Sequence, residues 1–126
     1  MESTVTVDQF QEELQSWKHE LSSIKQEIRL FESQLEHLST KRLPRDLLAQ
    51  VEHFQNSFIC QKEVIDRLRH DLPDSRHKLE HIIRNMHAPE KLASLSQAHL
   101  RERMHDFRRF YREVSEDFLG FASEWM

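Results

Sequence analysis

Glycine occurs once in this chain of 126 residues, at Gly120, and proline three times, at Pro44, Pro73 and Pro89. So little of either leaves few residues for the tight turns of a sheet protein and favours long helices. A single glycine also excludes the glycine-rich loops that cradle phosphates, and no zinc-protease or hydrolase-elbow pattern is present. Cysteine occurs once, at Cys60, which excludes an internal disulfide and fits a reducing compartment. No apolar run nears the roughly 18 residues that span a bilayer. The opening Met1-Glu2-Ser3-Thr4-Val5 has neither the basic nor the apolar segment of a secretory signal, so a cytoplasmic location is expected. A formal net charge of −4 argues against nucleic-acid binding by the chain as a whole.

What the chain has in abundance is apolar residues at alternating spacings of four and three. Phe10, Leu14, Trp17, Leu21, Ile24, Ile28, Phe31, Leu35 and Leu38 form the first stripe. Leu47, Val51, Phe54, Phe58, Gln61, Ile65, Leu68 and Leu72 form the second. Leu100, Met104, Phe107, Tyr111, Val114, Phe118, Phe121 and Trp125 form the third, with Gln97 one step before them. A period of 3.5 residues keeps one narrow seam of a helix facing its partners, as positions a and d of a heptad. Three seams of matched length, each about 42 Å at 1.5 Å per residue, predict an all-α fold. The expected architecture is an antiparallel up-down-up three-helix bundle in a single domain, residues 1–126.

The helices are expected at about 7–39, 44–88 and 94–124. Thr6 with Gln9 reads as a capping box, and Val5 with Phe10 as a hydrophobic staple. Ser39 to Pro44 reads as a turn, with Pro44 near the first position of the next helix. The rhythm continues past Pro73 through Ser75, Leu79, Ile82 and Met86, so the second helix is expected to be long, with either a kink or a turn at Pro73. Ala88-Pro89 is the expected break. Residues 76–96 are then surplus to the three legs, and a projecting helix is the favoured arrangement for them. Gln61 in the seam either sets register or partner number, or reaches out to the bundle edge.

Nine histidines invite a metal hypothesis, but every one falls at an outer heptad position. Metal centres inside bundles need inward-facing ligands, so no internal site is expected. One outer stripe remains a candidate: His70, Asp74, His77 and His81, at spacings of four, three and four, with His77 and His81 placed to chelate zinc or a similar cation. No cofactor is otherwise expected. His53, Asn56 and Cys60 have the residue types of a cysteine hydrolase. However, His53 and Cys60 are seven residues apart, about 10.5 Å along a helix, which is beyond hydrogen-bond reach. No catalytic residue is identified.

Two contact surfaces are candidates. The surplus segment carries Leu79, Ile83 and Met86 beside basic and histidine side chains. The third helix carries Arg101, Arg103, Arg108, Arg109 and Arg112 around Phe107, Phe110 and Tyr111, a pattern suited to acidic partners or an anionic surface. The ordinary alternative pairs this helix with the first leg, whose residues 1–40 hold three Lys and Arg against eight Asp and Glu.

Phe58-Ile59-Cys60-Gln61-Lys62-Glu63-Val64-Ile65-Asp66 and the stretch from Leu100-Arg101-Glu102-Arg103-Met104 to Phe121-Ala122-Ser123-Glu124-Trp125-Met126 resemble small uncharacterised helical, coiled-coil-like proteins of Bacteroidetes-type bacteria. The resemblance covers the three legs and is weakest over 73–96. It implies a bacterial, cytoplasmic setting and no particular activity. The length and Trp17 also resemble a spectrin-like three-helix repeat, by analogy of architecture alone. The expected function is non-enzymatic protein–protein interaction, as an adaptor or a homo-oligomeric scaffold. The alternatives are a metal-binding bundle using the His/Asp stripe and an anionic-surface binder using the arginine-rich helix.

Overall fold

The computed structural model describes the backbone of residues 7–73, 81, 84 and 89–126, and their side chains except those of residues 7 and 89–96. Among the described residues the protein is all-helical and has no strand; three helices are delimited, and residues 81 and 84 outside them are also helical. Helix α1 is Val7–Ser39, α2 is Arg45–Asp71 and α3 is Pro89–Trp125. The cap and staple residues Val5 and Thr6 lie outside the described residues.

Helix α1 ends where hydroxyls begin to compete for its last carbonyls. Ser39 Oγ donates to Glu36 O at 2.8 Å, and Thr40 Oγ1 to His37 O at 2.7 Å. Pro44 has extended backbone (φ −58°, ψ 154°) and stands at the cap of α2, one residue before its first turn. Its carbonyl accepts from Leu48 N at 2.9 Å.

The second helix is shorter than the heptad rhythm suggested. It stops at Asp71, not near residue 88, because the ring of Pro73 disfavours helical backbone at the residue before it. Leu72 accordingly turns extended (φ −80°, ψ 132°), while its N–H still reaches Leu68 O at 3.1 Å. Leu72 and Pro73 are both buried, which pins the chain where it leaves the helix. The heptad phase that continues past Pro73 is therefore not carried by the same helix. The third helix begins at Pro89, five residues earlier than expected, with proline at the first position, where its missing N–H is harmless.

The three stripes form one hydrophobic core. Along α1 every seam residue from Phe10 to Leu38 is buried except the half-buried Ile24. Along α2 the seam is buried from Leu47 to Leu72, with Gln61 half-buried. Along α3, Met104, Phe107, Tyr111, Phe118 and Phe121 are buried, with Leu100 and Val114 packed against them. Each fully buried large side chain contributes about 1.5–3 kcal/mol relative to exposure, so these seams, not helix propensity, hold the fold.

Five phenylalanines join all three helices at one level. Phe31 of α1 lies 5.7 Å from Phe58 of α2 and 4.7 Å from Phe118 of α3, centroid to centroid. Phe58 meets Phe118 edge-on at 5.3 Å, and Phe54 meets Phe121 at 5.1 Å. Ion pairs tie the flanks: Lys25 to Asp66 at 2.6 Å and Lys62 to Glu32 at 2.9 Å between α1 and α2, and Arg103 to Asp71 at 2.9 Å between α2 and α3. No described helix is long and apolar enough to cross a membrane.

Candidate functional site

The flank between α1 and α3 changes character along its length. Glu13, Glu20 and Glu27 recur every seven residues on one side of α1, just before seam positions Leu14, Leu21 and Ile28. Glu13 accepts from Gln97 Nε2 at 2.7 Å and from Arg101 Nε at 3.0 and 2.9 Å. Glu20 is held by Arg108 through two bonds of 2.6 Å, which push the guanidinium pKa up. Glu27 accepts the hydroxyl of Tyr111. Burial first, and this bond second, push the phenol well above its usual value. Gln97, 3% exposed, is a polar seam residue satisfied by its bond to Glu13.

Beyond Glu27 the charged ladder stops. The next residue in the α1 series is Gln34, and the residues of α3 that follow Arg101 and Arg108 in sevens are Ser115 and Ala122. Here a cleft of ≈ 450 Å³ opens, lined by Ser33, Gln34, His37, Leu38, Lys41, Trp125 and Met126. Of its lining, Met126 is 51% and Trp125 45% exposed, and on the same two helices Leu30 is 66% and Leu119 54% exposed. Leu30 stands one turn before Gln34, and Leu119 lies on the α3 stripe that continues through Ala122 to Met126.

Trp125 thus departs from its expected place in the core. It reaches the level of Leu38, as the register requires, but it is the last residue of α3, lines the open cleft and is 45% exposed. Leu30 and Leu119 were not among the sequence candidates. Their signal was available, since each is an apolar residue at an outer heptad position.

The sequence candidates distribute as follows. In the metal stripe, His70 is exposed, with Nδ1 3.5 Å from Asp71 Oδ1, and His81 is helical and exposed. Asp74 and His77 lie outside the described residues. The helix that carries His70 ends at Asp71. Among the described residues no three His, Cys, Asp or Glu side chains gather as a metal site. Leu79, Ile83 and Met86 also lie outside the described residues. Of the candidate arginines, Arg108 is committed to Glu20, Arg109 lies 5.1 Å over the Phe110 ring, and Arg112 is exposed. Arg101 and Arg103 are paired with Glu13 and Asp71. Pairing with the acidic first helix therefore takes up Arg101 and Arg108. His53 and Cys60 are exposed on α2, and the His53 ring meets Phe54 edge-on at 5.5 Å.

Comparison with protein-family profiles, curated proteins and solved structures gives no match to this chain.

Proposed function

We propose that this chain is a non-enzymatic, cytoplasmic interaction bundle that acts through protein–protein contact, with self-association as a scaffold its expected form. The observation that carries the reading is the switch along the α1/α3 flank from charged rungs to a cleft lined in part by Leu38, Trp125 and Met126, with Leu30 and Leu119 exposed on the same two helices. Uncovered apolar side chains grouped beside a cleft are a common mark of an interface, whereas Leu48, Ile59 and Phe110 are exposed elsewhere on the bundle.

The reading includes an up-down-up, coiled-coil-like arrangement, which the order of the contacts supports. Partners on α3 rise with α1, from Glu13 with Arg101 to Glu20 with Arg108 and Phe31 with Phe118. Partners on α2 fall as α1 rises, from Lys25 with Asp66 to Glu32 with Lys62. Charged side chains flanking an a/d seam pair in this way in coiled coils.

Sedimentation equilibrium of the reduced protein over a wide concentration range tests the reading. A mass above the monomer that falls to the monomer in Leu30→Lys/Leu119→Lys is expected. A wild-type monomer at every concentration, or an oligomer indifferent to both lysines, would overturn it.

A further inference from the structure

The opposite flank of α1 carries a charge arrangement that bundle packing does not account for. All three Lys and Arg residues of the first 40 positions, Lys18, Lys25 and Arg29, stand on the side of α1 that faces α2. Opposite charge is what α2 should present there, as it does where Lys62 meets Glu32. It does so again with Asp66 against Lys25, but beside Asp66 stand Arg69 and His70, and these three with Lys18 line a cleft of ≈ 390 Å³.

Asp66 is the one carboxylate of this cleft, and it is already spent. Its Oδ1 takes Lys25 Nζ at 2.6 Å. That bond, with the charges of Lys25, Arg69 and Arg29, outweighs a small desolvation and holds its carboxyl below the ordinary value. Asp71 is bound to Arg103 at 2.9 Å and lies 3.5 Å from Nδ1 of its neighbour His70. Among the described residues neither Lys18, which is half-buried, nor Arg69 has an ion-pair partner. Like charges gathered around one solvent-open cleft repel each other, modestly because water screens them, and an anion seated among them relieves that repulsion.

We propose that the cleft between α1 and α2 binds the phosphate group of a small soluble ligand through Lys18, Arg69 and His70. Arg69 supplies a planar fork matched to two phosphate oxygens, Lys18 a point charge from the α1 side, and His70 a donor at the rim. Lys25 keeps Asp66 neutralised, so the carboxylate does not repel the ligand at full charge. The site is separate from the α1/α3 cleft and does not depend on the interaction reading.

The test is titration of the full chain with inorganic phosphate and with pyrophosphate at fixed ionic strength, followed by amide chemical shifts. Saturable one-to-one binding is expected, with shifts centred on residues 18, 66, 69 and 70. Lys18→Gln/Arg69→Gln should weaken it by about tenfold for each cation removed. Arg109→Gln/Arg112→Gln, which removes the same charge from α3, should leave it unchanged. Tighter binding of pyrophosphate supports a diphosphate ligand, and equal binding supports a single phosphoryl group. No saturable binding of either anion, or equal weakening in both double variants, would overturn the proposal. Thermal unfolding of Lys18→Gln/Arg69→Gln without anion guards the interpretation. Its midpoint should match or exceed that of the wild type, since repulsion is relieved, and a lower midpoint would assign these cations to holding the bundle and overturn the site.

Discussion

Arg108 grips Glu20 with two hydrogen bonds of 2.6 Å, Nε to Oε2 and Nη2 to Oε1, across the flank between α1 and α3. Both side chains keep substantial solvent access, so water and salt screen the pair. Glu20→Gln or Arg108→Gln should each cost about 0.5–1 kcal/mol in urea unfolding. The swap Glu20→Arg/Arg108→Glu should recover part of that loss, and failure to recover any would show that the pair contributes packing and not charge.

Phe118 is fully buried at the meeting point of Phe31, Phe54 and Phe58, whereas Phe110, eight residues earlier on the same helix, is exposed. Phe118→Ala should cost about 3–5 kcal/mol, through lost burial and the cavity left behind. Phe110→Ala should stay within about 0.5 kcal/mol. Equilibrium denaturation of the two variants side by side checks the contrast.

Tyr111 is the single tyrosine of the chain, so phenolate absorbance reports on it alone. Its pKa is raised in the fold by burial and by the bond to Glu27. The stability linked to it is therefore complete below its ordinary value of 10.0 and declines as the pH rises beyond that, when only the unfolded chain ionises. The decline should approach about 1.4 kcal/mol per pH unit while the folded phenol stays protonated. Phenolate absorbance should appear only with unfolding, and Tyr111→Phe should remove this part of the alkaline sensitivity. A free titration near 10 in the folded protein would refute it.

Asp66 and Asp71 show the opposite linkage. Lys25 lowers the first carboxyl, and Arg103 followed by His70 lowers the second. Their contribution is present above the ordinary carboxylate value of 3.8 and is lost as the pH falls through their lowered values. In an acid titration of stability, Asp71→Asn should start less stable than wild type at neutral pH and converge with it below pH 3.8. Curves that stay parallel to the acid limit would contradict the assignment.

Gln61 occupies a seam position, and its Oε1 is buried without a hydrogen-bond partner. An inward amide oxygen left unsatisfied costs about 1–3 kcal/mol. Gln61→Leu should therefore raise stability by about 1 kcal/mol in thermal unfolding. If Gln61 sets register or partner number, the same variant should also change the sedimentation mass.

The three seams were legible in the chain because apolar residues at spacings of four and three can be buried together only on a helix that faces its neighbours lengthwise. That periodicity determined the helical class, the core from Phe10 through Leu72 and Met104 to Phe121, and the outward placement of histidines such as His19, His53 and His105. The end of α2 was not legible from periodicity, since a heptad rhythm can run across a proline while the backbone cannot. The local restriction on Leu72 prevailed over a pattern that extended to Met86. Nor could one-dimensional spacing show which charges meet. Only the tertiary arrangement brought Glu13 and Glu20 to Arg101 and Arg108, left Lys18 and Arg69 on the same cleft, and opened a second cleft between Leu38 and Trp125. Burial is written into one helix at a time, because each apolar stripe must find cover. The pairing of polar flanks depends on the stagger and rotation of helices against each other, which exist only once the bundle has formed.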